Sequence, residues 1–190
     1  MSMFGMILLG AIVIVVAYGV MIYNGLVLLK HAVAKAWANI DVLLKQRHDE
    51  LPKLVEACRQ YKQFEQDTLQ RVIEARSRVQ TARENQDIPA LGQAEAALRM
   101  GLGRIFAVAE AYPELKANAN FLELQRELSS VEEQVNLARR YYNGAVRNYN
   151  TAIQTVPSNI IAGITRFVAA EFFEIEDPAD RAAPKVSFGS

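Results

Sequence analysis

The chain has 190 residues and a mass of 21.2 kDa, and its 21 Lys and Arg residues balance 21 Asp and Glu. That length suits one domain, and zero net charge speaks against a nucleic-acid surface, which needs a clustered basic excess. With two histidines and one cysteine, the usual four-ligand zinc site and any internal disulfide are excluded.

The mean hydropathy of +0.03 conceals a split, because every charged side chain lies after position 29. Residues 4–22 read FGMILLGAIVIVVAYGVMI, and roughly 19 helical residues span roughly 28 Å, close to the thickness of a bilayer's hydrocarbon core. A cleaved signal peptide is disfavoured: no basic residue precedes the run, and Ala17-Tyr18-Gly19 is a poor cleavage site. A transmembrane anchor over residues 1–29 is expected. Lys30, His31 and Lys35 follow it, which places the N-terminus outside and the C-terminal part in the cytoplasm.

From Lys30 to Pro157 no stretch alternates with period two, and strong helix formers dominate. Val33, Trp37, Ile40, Leu44, Arg47, Leu51, Leu54, Cys58, Tyr61, Glu65, Thr68, Val72, Ala75, Val79 and Ala82 keep one heptad phase. Because that phase survives Pro52, a bent continuous helix is expected there rather than a hairpin. Arg47 and Glu65 are polar exceptions on the seam. Either the stripe drifts onto Phe64 and Leu69, or the two set register or subunit contacts.

Asn85 to Pro89 reads as a turn, with Asp87 as cap. Leu91, Leu98, Leu102, Ile105, Ala109 and Tyr112 form the next apolar stripe, which Gly101 and Gly103 weaken unless they permit close packing. Asn120 with Glu123 resembles a capping box. From Phe121 through Leu124, Leu128, Val131, Val135, Ala138, Tyr142, Ala145, Tyr149 and Ala152 to Val156, apolar positions recur at steps of three and four until Pro157. Glu132, one step off this seam, is expected to contribute less than about 0.5 kcal/mol. Ser158 caps a last helix to about Val168. In the acidic, proline-containing tail beyond it, Val186 and Phe188 fall on one side of an extended segment and are candidates for docking into an apolar groove.

No pattern supports catalysis. Glu123 with Glu127 and Glu110 with Glu114 lack the histidine three positions on that a di-iron bundle requires. There is no nucleophile elbow, phosphate loop or dinucleotide fingerprint, and Cys58 lies in the apolar phase. Catalytic, cofactor-binding and metal residues are therefore all assigned as none.

Tyr-Asn recurs at Tyr23-Asn24, Tyr142-Asn143 and Tyr149-Asn150. With it stand Ala36-Trp37, Ile40-Asp41-Val42, Leu44-Lys45 and Arg47, then Tyr112-Pro113-Glu114-Leu115-Lys116-Ala117-Asn118, Asn120-Phe121, Leu124-Gln125, Glu127-Leu128 and Phe172-Phe173-Glu174. As a set these resemble the LemA family of bacterial membrane proteins over nearly the whole chain, departing at Leu43, where that family often has a polar residue. The resemblance implies a single-pass anchor with an up-and-down helical bundle and brings no catalytic residues.

The expected fold is all-α: an anchor over 1–29, a bundle over 30–170 with long coiled-coil-like helices, and an extended tail over 171–190. The expected function is a non-enzymatic scaffold in the bacterial inner membrane. It contacts the bilayer through residues 4–22, binds no nucleic acid or cofactor, and self-associates through a seam longer than its second helix can cover. The alternative is a regulatory bundle serving a neighbouring membrane enzyme such as a peptidase, with specificity in loop residues 112–120.

Overall fold

The computed structural model describes residues 3–61 and 64–175. Among the described residues six helices follow in chain order: α1 (Met3–Arg59), α2 (Gln66–Glu84), α3 (Ile88–Ala109), α4 (Pro113–Lys116), α5 (Ala119–Gln154) and α6 (Ser158–Ile164). No strand occurs among the described residues. The fold is all-α, with a long apolar N-terminal helix and a helical bundle. The described residues form two compact units, one within residues 1–40 and 138–171 and the other within residues 41–137 and 172–190.

In the second unit, α1 runs through Pro52 without interruption. Proline has no N–H to offer the carbonyl four residues back. That carbonyl belongs to His48, and Arg76 Nε of α2 donates to it instead at 3.1 Å. The expectation of a continuous helix at Pro52 therefore holds. Continuity to Ala82 does not: α1 ends at Arg59 and α2 starts at Gln66. Val72, Ala75, Val79 and Ala82 are nonetheless buried, because the chain resumes its apolar phase on a new helix.

The core of this unit joins Leu44, Leu51 and Leu54 of α1, Leu69 and Val72 of α2, Leu98 and Ile105 of α3, and Leu128 and Val135 of α5, all buried. Gly101 is a close approach, since a Cβ there would stand 2.8 Å from Val72 Cγ2. Asp87 caps α3 by accepting from Ala90 N at 2.9 Å. The cap of α5 is Asn118 rather than Asn120: its Oδ1 accepts from the backbone N–H of Asn120 at 3.0 Å and of Phe121 at 3.2 Å. Phe173 is fully buried here, and the carbonyl of Glu174 lies so close to Gly92 that a Cβ on that residue would be 2.0 Å from it. The tail therefore enters the core at Phe173. Val186 and Phe188 lie outside the described residues.

In the first unit, Ala36 and Ile40 of α1 are fully buried, and Trp37 meets Tyr142 of α5 edge-on at 5.7 Å. α6 is shorter than expected, ending at Ile164, and its N-cap position is Pro157 rather than Ser158. Arg166, in the left-handed region at φ 57°, ends it, and an extended segment follows. Val156, assigned to the seam by its spacing, is 72% exposed. By contrast, no residue in the apolar window of α1 is buried.

Candidate functional site

Three polar constellations and one groove stand out. The first is a buried ion triad in the second unit. Arg47 of α1 donates to Glu95 of α3 and Glu132 of α5, and only 1% of the Arg47 side chain is exposed. Burial opposes its charge, but the two carboxylates outweigh burial and hold its pKa above the ordinary value. The contact ties three helices to one guanidinium, with hydrogen bonds compensating the desolvation. Of the two readings of Arg47 and Glu65, drift applies to Glu65, since Phe64 and Leu69 are buried and Glu65 is exposed. The polar-contact reading applies to Arg47, with other partners than Glu65. The small role expected of Glu132 is corrected, because the residue reaches from the seam's edge to Arg47. A signal existed: Glu95 sits between Leu91 and Leu98 on the apolar stripe of α3, where an acidic residue calls for a buried cation.

The second constellation joins α1 to α2. Arg83 Nε pairs with Asp41 at 2.6 Å, and Arg76 also reaches His48 Nε2 at 2.6 Å. Burial first, and Arg76 second, hold the His48 pKa below 6.5. Glu65 accepts from Thr68 and from Arg104 at 3.0 Å, and those bonds hold its carboxyl below the ordinary range. Cys58 is wholly buried, and desolvation pushes its thiol up to about 12, so it stays protonated and unreactive at neutral pH.

The third accounts for the Tyr-Asn repeats. Tyr149 donates its hydroxyl to the Val168 carbonyl at 2.8 Å, and Tyr142 donates to the Glu171 carbonyl at 3.0 Å. The Asn150 amide pairs with Ala170 twice, donating from Nδ2 and accepting at Oδ1, both at 2.9 Å. Tyr23 and Tyr149 meet Phe167 at 5.9 and 6.4 Å. The motif straps the segment 167–171 against its unit, and the buried tyrosine hydroxyls find their partners there.

The groove, about 520 Å³, runs between α1 and the start of α5, lined by Glu50, Lys53, Glu56, Asn118, Asn120, Glu123 and Glu127 among others. Lys53 Nζ is held by both Glu50 oxygens at 2.8 and 2.9 Å. Glu123 and Glu127 are exposed on its wall. Among the described residues no group of three or more His, Cys, Asp or Glu side chains is placed to share a metal ion.

A profile of the LemA family matches residues 36–188. Protein LemA of Metamycoplasma hominis is 27% identical over 134 residues, covering 70% of this chain and 60% of that protein. Magnetosome protein MamQ 2 of Paramagnetospirillum magneticum is 36% identical over 90 residues, 47% of this chain and 33% of that protein. Magnetosome protein MamQ of Magnetospirillum gryphiswaldense is 31% identical over 90 residues, with the same coverage. The match thus spans less than two thirds of each of these relatives. The profile covers most of the chain, including the Trp37 to Arg47 run, the Tyr112 to Asn120 loop and the two strapping Tyr-Asn pairs, and the chain belongs to the LemA family.

Proposed function

We propose that the chain is a single-pass, membrane-anchored interaction protein without enzymatic activity, whose bundle faces the cytoplasm and self-associates. The observation that carries this reading is α1: a helix with no buried residue in its apolar window continues directly into a packed bundle. Such a surface is tolerated in lipid and costly in water. Lys30, His31 and Lys35 support the cytoplasmic orientation. Self-association no longer draws support from an uncovered seam, since Tyr142, Val146 and Tyr149 are buried in their own unit. It rests on the large apolar side chains left outside, among them Val42, Leu137 and Tyr141, at 65%, 56% and 62% exposure. Mass measurement of the detergent-solubilised full chain tests it: a defined assembly is expected, and a monomer would remove the scaffold reading.

A monomer would favour the second reading, an accessory bundle serving a neighbouring membrane protein. The groove supports that alternative, because Asn118, which caps α5, and Asn120, in the first turn of α5, line it together with Glu50 and Glu56.

A further inference from the structure

We infer that α6 and its flanks, residues 156–164, dip into the same bilayer leaflet that α1 leaves, making a second and monotopic membrane contact. This rests on the anchor reading of α1. The first observation is depth. Ile161 Cδ1 lies 3.7 Å from where a Cβ on Gly19 would stand, so α6 lies beside the apolar run of α1 before its end at Ile22. The second is the outer face of this segment. Val156, Ile160 and Ile164 are 72%, 59% and 74% exposed, while Ala162 is buried, so apolar side chains point both inward and outward. No charged residue occurs between Arg147 and Arg166. A short surface helix in water carries polar groups on its outer face; this one does not.

The third observation is the order of chemistry along α1. Gly19 adjoins Ile161, Tyr23 meets the Phe167 ring at 5.9 Å, and Lys30 Nζ lies 5.8 Å from the centroid of that same ring. Over about 16 Å of helix the contacting pairs pass from aliphatic through aromatic–aromatic to cation–aromatic, with the cation on α1 itself, which follows the sequence of environments from hydrocarbon through interface to headgroup. The unit is also basic: Lys30, Lys35, Arg139, Arg140, Arg147 and Arg166 stand against Glu171 alone, as an anionic leaflet would favour. A second copy of the chain could cover the same aliphatic residues, but would require neither this gradient nor its alignment with the span.

The test uses the full chain with Cys58→Ala, reconstituted into vesicles of phosphatidylethanolamine and phosphatidylglycerol. Single cysteines for spin labelling are introduced by Ile160→Cys and Ile164→Cys, with Ile14→Cys in the span and Met100→Cys in the second unit as references. Labels at 160 and 164 should collide more with oxygen than with a water-soluble nickel chelate, as at 14, and the preference should reverse at 100. Nickel-dominated collisions at 160 and 164 with oxygen-dominated collisions at 14 would overturn this inference and leave the anchor standing. Shielding of 160 and 164 from both reagents would assign the face to protein and overturn it as well. Nickel-dominated collisions at 14 would remove the anchor reading itself.

Discussion

At the scale of single residues, the consequences concentrate on Arg47. Truncating it by Arg47→Ala leaves Glu95 and Glu132 facing each other in the core, and a loss of about 3–5 kcal/mol in unfolding free energy is expected. Glu132→Ala removes one of two acceptors from a still-paired guanidinium and should cost about 1–3 kcal/mol. Leu128→Asp, at a position 1% exposed, buries an unpaired carboxylate and should cost several kcal/mol. Urea titrations of the solubilised chain give the ranking, and a neutral Glu132→Ala would contradict the triad. His48 makes stability depend on pH. Its folded pKa lies below 6.5, so the unfolded chain takes up the proton first. Stability is then full above about pH 6.5 and declines as pH falls through the lowered value. His48→Gln should flatten that decline between about pH 7.5 and about pH 5, read by chemical denaturation at each pH.

At the scale of elements, hydrophobic period located helices well and their ends poorly. The +3/+4 steps from Phe121 to Tyr149 match α5 because a helix presents one face to a core regardless of what lies opposite. The interruption between Arg59 and Gln66 was invisible because Gln60, Tyr61, Phe64 and Glu65 include neither glycine nor proline, and the apolar phase resumes beyond them. Conversely Pro52 looked like the weak point, yet the lost bond is replaced by Arg76, a residue 24 positions away that no local reading could pair with His48. Asn118 and Asn120 are both credible caps by type, and only backbone geometry chooses between them. Glycines show the same dependence on neighbours. Gly103 faces open space, so Gly103→Ala should stabilise α3 by up to about 1 kcal/mol. Gly92→Ala would drive a methyl group into the Glu174 backbone. It should lower the thermal midpoint and speed proteolysis near residues 172–175, and an unchanged digestion rate would count against the packing of the tail on α3.

At the scale of the whole molecule, the long apolar N-terminal helix was legible because charge-free length is a property of sequence alone. The strap and the triad were not, since each joins positions far apart in the chain. Truncation separates anchoring from folding. Deleting residues 1–18 should abolish membrane retention in alkaline wash while preserving helicity. Deleting residues 1–29 should in addition lower the thermal midpoint, because Leu26, 2% exposed, leaves the first unit with that segment. Equal midpoints for the two truncations would show that α1 contributes no packing before Lys30. The late position of Phe173 also bears on biosynthesis. Translation at about 5–20 residues per second delivers it roughly 8–30 s after the apolar run has emerged. Through that interval the nascent chain, membrane-bound on the anchor reading, carries an incomplete core with the place of Phe173 still unfilled. A ribosome that stalls before residue 173 therefore leaves a tethered, open bundle that a protease can distinguish from the finished one.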